Sequence, residues 1–480
     1  MLKAKFILTT MAASLALAGC VSVGPDYQRP ALDVPTSLNV AATPGKSAAA
    51  DYMAWWKAFN DPALNALLDE AHANNQDLLL AAGRVEEARA LAVGTNSNRY
   101  PTVDANITPT KLRTSQHAGL LPAGAEPISW DYKLGLSASY ELDFWGKLAR
   151  ADEAARARLL AQEANQGVVL TSLYSNLAQT YFSLRASDAQ LALADVTLKT
   201  RQEKLRLQKK LYASGTIGEL DLHIADSEEA AAEISLAQAK QAVANTESAL
   251  AVLAGRSPSA IAKPVIARGS DIDGLYQQLR VPADLPSNLL ERRPDIVAAE
   301  QTLVAANADI GQAKAQYFPT LKLSSGVGYE SQGLKDLINP ASMLWNIGAN
   351  LTQPVFRAGA IGAVVSGAEA RKTQALAQYV QTVQGAFRDV HDALNNATAN
   401  EQIYTSGQHR VSALKDSLRL AELRYKNGYS SYLEVLNAQR DLWQAQVTVI
   451  DTQRAHLSAV VSLYKAVGGG WDAKQEVAAK

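Results

Sequence analysis

The chain has 480 residues, enough for two or three domains of ordinary size. Its 46 Lys and Arg nearly balance 47 Asp and Glu, for a formal charge of -1, so the basic surplus of a nucleic-acid footprint is missing and no nucleic-acid partner is expected. A single cysteine excludes a disulfide within the chain, and the scattered His72, His117, His223, His391, His409 and His456 offer no metal-ligand spacing.

The first element in chain order is a secretory signal. "MLKAKFILTTMAASLALAGC" carries Lys3 and Lys5, an apolar run from Phe6 to Ala18 that is short for a bilayer span, and small residues before a cut site. Leu17-Ala18-Gly19-Cys20 resembles a bacterial lipobox, which makes residues 1–19 a signal peptide and Cys20 an acylated first residue. The plainer alternative is an ordinary signal with a chance cysteine. Val21 rather than Asp follows, which by resemblance to lipoprotein sorting favours the outer membrane. Apart from that covalent lipid no cofactor is expected. Residues 20–60 form the lipidated N-terminal segment.

Beyond it the chain repeats itself. "NNQDLLLAAGRVEEARALAVGTNSNRYPT" (74–102) aligns, 218 residues on, with "RRPDIVAAEQTLVAANADIGQAKAQYFPT" (292–320), matching Asp77 with Asp295 and Tyr100-Pro101 with Phe318-Pro319. Later the offset becomes 213, where "YASGTIGELDLHIAD" matches "YKNGYSSYLEVLNAQ". The repeats span 61–255 and 294–468. Between them, at 256–293, Pro258, Pro264, Pro282 and Pro286 discourage continuous helix. Residues 469–480 form a tail.

Each repeat opens helical, at 61–99 and 294–316, and then alternates. Val103, Ala105 and Ile107 interleave with polar residues, as do Trp130, Tyr132, Leu134, Leu136, Ala138, Tyr140 and Leu142. This period of two predicts strands at about 102–112 and 128–144 with one apolar and one polar face. The second repeat predicts strands at about 320–331 and 343–356. Such strands suit either a half-buried soluble sheet or a membrane barrel, whose strands need about 9–11 residues with aromatic borders. The outer-membrane signal favours the barrel. Four strands cannot close one, since about eight is the usual minimum, so the barrel must be shared between chains; three would supply twelve strands.

After Gly146 and after Gly359 no proline interrupts the chain until past Tyr212 and Tyr425, which predicts helices of about 65 residues and about 100 Å. Leu170, Leu177, Leu184, Leu191, Leu198, Leu205 and Tyr212 recur by sevens, and so do Val383, Val390, Ala397, Tyr404, Val411, Leu418 and Tyr425. That spacing keeps one seam on a neighbouring helix. The companion positions Ala194, Arg201 and Gln208 are poorly apolar, which points to helices side by side around a wet interior. The turns at Gly215 and Gly428 return the chain through 219–254 and 432–467. The two shorter helices of each repeat are expected to stack end to end along the long one.

Taken together, "CVSVGPDYQRP" (20–30), "WWKAFNDPALNALLDEAHANNQDL" (55–78), "YELDFWGKL" (140–148), "LLERRPDIVAAE" (289–300), "FPTLKL" (318–323) and "YLEVLNAQRDL" (432–442) resemble the characteristic segments of outer-membrane efflux factors, in their lipoprotein branch. The likeness covers nearly all of the mature chain. It implies a mainly α fold with a membrane β part: a homotrimer with a 12-strand outer-membrane β-barrel continuous with a 12-helix periplasmic α-barrel. It also implies a periplasmic adaptor and an inner-membrane transporter as partners, outer-membrane lipid as surroundings, and passive efflux of drugs, solvents or other small molecules.

In that fold Tyr212, Gly215, Tyr425 and Gly428 mark hairpin tips where the adaptor docks, and Asp221 and Glu434 resemble acidic positions near a constriction. Arg424 and Tyr425 would close a gate by bonding to a neighbouring helix, although the preferred reading of an Arg beside a turn is a solvated end-of-helix cation. Ser431-Tyr432-Leu433-Glu434 also reads as a capping box, so Glu434 has a structural role beside a gating one. Asn437 departs from the family, many of whose members carry an acid in this segment, so the innermost ring is weaker or lies at Glu434. A periplasmic adaptor or scaffold lipoprotein is the competing function, and a lipoprotein enzyme a distant third because no nucleophile–base set emerges.

Overall fold

A computed structural model of the chain describes residues 22–35, 37–39, 52–117, 124, 126–279, 284–286 and 291–472. Cys20 and the signal-like segment lie outside the described residues. The elements in order are β1 (Ser37–Asn39), a 3₁₀ turn (Trp55–Phe59), α1 (Pro62–Asn74), α2 (Gln76–Ser97), β2 (Thr102–Arg113), β3 (Ile128–Leu142), α3 (Lys147–Ala213) and α4 (Glu219–Leu253). They continue with α5 (Pro258–Ile261), α6 (Ile272–Gln278), β4 (Asp284–Pro286), α7 (Pro294–Ala315), β5 (Thr320–Ser331), β6 (Met343–Thr352), α8 (Ala360–Lys426) and α9 (Tyr432–Ala466). The paired helices have equal lengths across the repeat: 67 residues for α3 and α8, and 35 for α4 and α9.

The chain divides into two compact units. One joins described residues 22–31 to Val85–Gln162 and Ala299–Tyr379, and it holds one antiparallel sheet in the order β2-β3-β5-β6. Residues directly opposite across an antiparallel ladder share a face. The register sets Ile107 opposite Leu134, Leu134 opposite Tyr329, Leu136 opposite Val327 and Val327 opposite Trp345, so one face is predominantly apolar. Among the described residues nothing covers it: Ile107, Trp345 and Ile347 are 76%, 70% and 80% exposed. The other face carries Asn106, Ser137, Lys133 and Glu330, with Lys133 Nζ 3.2 Å from both Asp131 and Glu330.

Two strands stop short of their expected ends. β3 ends at Leu142 rather than 144, because the Asp143 carboxylate turns back to accept from the Ala149 N–H (2.8 Å), and Gly146 takes a φ of +74°. β6 ends at Thr352 rather than 356, because Pro354 has no N–H to give a ladder. In the same unit, residues 22–29 are bolted down. Asn307 Nδ2 donates to Pro25 O (2.7 Å), Arg150 Nη2 meets Asp26 Oδ1 (2.6 Å), and Arg29 Nη2 meets Glu300 Oε2 (2.7 Å).

The other unit comprises Leu32–Arg84, Glu163–Ala298 and Val380–Lys480, so far as described. Its core gathers Phe59, Leu64, Leu68, Leu177, Tyr181, Phe182, Leu250, Leu275 and Leu457. Leu275 comes from α6, so the proline-rich stretch between the repeats contributes a short helix to this core. Asp61, fully buried, organises its centre. One oxygen caps α1 by accepting from Ala63 N (2.9 Å) and Leu64 N (3.1 Å); the other accepts from Tyr181 Oη and Ser270 N, both at 3.0 Å. Four donors satisfy the buried carboxylate, and they tie α1, the long α3 and the inter-repeat segment together. Burial raises the Tyr181 phenol well above its usual range.

The short helices meet end to end at two related joints. Asn75 Nδ2 donates to Leu253 O at the end of α4 (2.9 Å), while its Oδ1 accepts from Asp77 N (2.9 Å) and Leu78 N (3.2 Å) at the start of α2. One carboxamide thus satisfies the ends of two helices. In the second repeat Arg293 takes the place of Asn75, donating to Ala466 O (3.0 Å) and pairing with Asp295 (2.7 Å) and Asp389 (3.2 Å). Gly255 and Gly468, with φ of +72° and +80°, close α4 and α9 beside these joints.

Asp61→Ala is expected to destabilise this unit by about 3 kcal/mol or more, from a lost cap and stranded buried donors. Asp61→Asn, which retains the acceptor oxygen, should lose less. Thermal unfolding followed by far-ultraviolet circular dichroism makes the comparison; equal midpoints for wild type and Asp61→Ala would remove Asp61 from its central role.

Candidate gate at the paired hairpin tips

Each long helix ends in the same local chemistry. Gly215 and Gly428 have φ of +70° and +76°, a left-handed conformation that glycine adopts without a Cβ penalty. The chain beyond them bonds back twice: Gly215 N to Tyr212 O (2.9 Å) and Thr216 N to Leu211 O (2.9 Å), and likewise Gly428 N to Tyr425 O (3.0 Å) and Tyr429 N to Arg424 O (2.8 Å). This Schellman pattern satisfies the last carbonyls of α3 and α8 before the chain reverses into α4 and α9. Tyr212 is 42% exposed at its tip, whereas its counterpart Tyr425 is half-buried.

The two hairpins pack on each other through Leu205, Ala225, Ala421, Tyr432, Val435 and Leu436. Polar bridges flank this patch. Arg201, 7% exposed, donates to Gln439 and pairs with Glu228 (3.3 Å), Lys204 pairs with Glu422 (2.7 Å), and Gln208 Nε2 donates to Tyr425 Oη (3.3 Å). Arg201 and Gln208 are therefore buried within one chain and knit one hairpin to the other. That heptad position is polar because it meets polar partners on the neighbouring hairpin, in keeping with helices packed side by side rather than a simple two-stranded coil. These bridging residues went unnamed in the sequence, although the break in the apolar heptad was their signal.

Of the residues singled out in the sequence, Arg424, Tyr425 and Glu434 come together. Arg424 Nη1 lies 3.7 Å from Glu434 Oε1 on the neighbouring α9, and the Tyr425 ring sits 5.4 Å from Tyr432. The Tyr432 phenol is raised by its burial, which outweighs the opposing pull of the Arg201 cation. Both members of the Arg424–Glu434 pair are 43% exposed or more, so the contact is solvated and weak, about 0–1 kcal/mol. Asp221 stands apart, half-buried in the first turn of α4 beside Glu219. Asn437 is exposed and accepts from Arg440 one turn on, away from the Arg424–Glu434 pair.

The capping box expected at Ser431 does not form. Ser431 is the N-cap residue by backbone conformation, but its side chain makes no cap hydrogen bond; the Glu434 N–H instead reaches the Ser431 carbonyl (3.2 Å). The Glu434 carboxylate turns toward Arg424. The arrangement has no nucleophile with a base. It offers solvated charges and two aromatic rings at the reversal points of two helical hairpins, features suited to shaping an opening.

Comparison with known proteins finds relatives along nearly the whole chain. The family model described as "Outer membrane efflux protein" matches residues 67–256 and 285–469. The cation efflux system protein CusC of Escherichia coli O6:H1 is 37% identical over 461 residues, 95% of this chain and 97% of that protein. The probable outer membrane lipoprotein SilC of Salmonella typhimurium is 34% identical over 469 residues, 97% of this chain and 99% of that one. Among solved structures, the Campylobacter jejuni CmeC outer membrane channel superposes with a TM-score of 0.89 at 26% identity, covering 95% of this chain and 98% of that chain.

Nothing lies within 4 Å of a Cβ built on Gly428, so Gly428→Ala tests backbone conformation alone. It is expected to strain the turn by about 1 kcal/mol and to speed tryptic cleavage at the adjacent Lys426. Unchanged cleavage kinetics would show that the tip does not need its left-handed residue.

Proposed function

Because the chain belongs to the outer membrane efflux protein family, we propose that three copies assemble through their sheets into one closed barrel and act as the exit duct of a tripartite pump. The protein is an outer-membrane component of efflux, mainly helical with a four-stranded sheet. The observation that carries the assembly is the sheet itself. Among the described residues one face is apolar and uncovered, the other is polar, and the outer edges of β2 and β6 have no partner. The apolar face suits lipid and the polar face a lumen. Inside a bilayer an unpaired strand edge costs several kcal/mol for each stranded group, so only closure is tolerable. Pairing β6 of one copy with β2 of the next is a head-to-tail contact that closes into a ring. Three copies give twelve strands, within the range of natural barrels.

A periplasmic adaptor docks at the tips marked by Tyr212, Gly215, Tyr425 and Gly428, and an inner-membrane transporter supplies cargo and energy. Asp221, Arg424, Tyr425, Glu434 and Asn437 line the periplasmic opening, with the Arg424–Glu434 pair as the part that parts on opening. Asp221 and Glu434 become rings of like charge under three-fold symmetry, which favours cations. The channel performs no covalent chemistry. Cys20 carries the lipid, and residues 1–19 are removed.

The assembled protein should migrate as a trimer in native mass spectrometry and conduct in a planar bilayer. Glu434→Gln is expected to lower cation preference and raise leak. A monomeric, non-conducting preparation would support the competing scaffold reading and end this one. Cys20→Ser should abolish palmitate labelling while leaving channel conductance; label persisting in that variant would place the lipid elsewhere.

A further inference from the structure

The apolar face of the sheet has one chemical irregularity. Along the four strands, the positions sharing that face are Val, Ile, Leu, Ala, Met, Pro, Ser and aromatic residues, except at the far end of β2, where Lys111 and Arg113 stand two residues apart. The ladder places Lys111 opposite Trp130 and Arg113 opposite Ile128. Lys111 Nζ lies 5.2 Å over the Trp130 ring, and that ring stacks on Tyr132 with centroids 5.5 Å apart. Both cations are exposed, and neither is in an ion pair among the described residues. The connection from β2 to β3 contains one carboxylate, Glu126, so local charge compensation is scant.

Position along the strand decides what these cations meet. From Thr102, at the helix-linked end, to Lys111 is about 30 Å of strand. At a barrel tilt of about 40° this is a rise of roughly 23 Å, close to the top of an apolar band about 25 Å tall. There an Arg or Lys on the lipid face costs about 0–1 kcal/mol rather than the several of the midplane. The Trp130–Tyr132 pair is the aromatic border expected at that level. A cation pair aimed outward from a lipid-facing border, held by an aromatic ring and without a carboxylate, complements a phosphate in the headgroup layer.

We infer that Lys111, Arg113 and Trp130 form a binding site for the phosphate of an anionic lipid headgroup at the rim of the barrel farthest from the helices. The cations take the phosphate by charge-assisted hydrogen bonds, and Trp130 holds Lys111 in place while packing on the acyl boundary. The inference rests on the barrel proposed above.

The test titrates the assembled full-length protein in mild detergent with bisphosphorylated lipid A, and separately with phosphatidylcholine, while native mass spectrometry counts bound lipid. The double variant Lys111→Gln/Arg113→Gln is expected to bind lipid A about 30-fold more weakly, roughly fivefold for each cation. Its phosphatidylcholine occupancy should not change, and neither should lipid A binding by Lys322→Gln, on the polar face. Equal lipid A affinity in wild type and double variant would overturn the site, and so would displacement of lipid A by an equal concentration of inorganic phosphate. Bilayer conductance of the same preparations separates the two proposals. A conducting wild type with unaltered lipid binding removes only the lipid site, whereas a non-conducting wild type removes the barrel beneath it.

Discussion

The chain's organisation follows from a rule of solvation: backbone N–H and C=O groups in hydrocarbon must be paired. A sheet of four strands with the order β2-β3-β5-β6 satisfies the inner ladders and, among the described residues, leaves two edges unsatisfied. Its apolar face is left unburied by the described residues, as the exposure of Ile107, Trp345 and Ile347 shows. Self-sufficiency is thus impossible for this part of the protein, and function is tied to assembly. The internal repeat is the economical source of that sheet, since each copy supplies one antiparallel hairpin.

The helical part meets the same pairing rule by other means. Helix ends are its weak points, and each class of end has its own device. The tips at Gly215 and Gly428 use left-handed glycines to recover their carbonyls. The end-to-end joints use side chains, a neutral Asn75 in one repeat and a charged Arg293 in the other. The buried Asp61 serves a helix start, a tyrosine on α3 and the segment between the repeats with one carboxylate. Duplication preserved the architecture while the chemistry of the joints diverged. At the tips the same divergence gives the second hairpin the Arg424–Glu434 pair, where the first has Leu211 and Asp221 at the matching positions.

Periodic features were the legible ones. Alternation across 102–112 and 320–331 marked strands because a pleat has a period of two, and the spacing of Leu177, Leu184 and Leu205 marked a seam because a packed helix returns every seven residues. Turn chemistry at Gly215 and Gly428 was legible because few residues tolerate a positive φ. Side-chain bonds between distant segments left no such trace. Asp61 sits before a proline like any N-cap, and nothing local announces Tyr181 or Ser270 as its partners. Ser431 and Glu434 have the spacing of a capping box, yet the Glu side chain had a cation within reach on α8, and that contact took its place.

By itself the sequence determined the repeat, the lengths of the helices, the two-faced strands and the single cysteine after an apolar leader, because each is a pattern within one stretch of chain. The tertiary structure decided which strand lies beside which, that Arg201 and Gln208 face polar partners within the chain rather than water, and that the cations Lys111 and Arg113 share the apolar face with Trp130. Those outcomes depend on register and on contacts between residues far apart in the chain. Such relations are set when surfaces meet, and no local spacing encodes them.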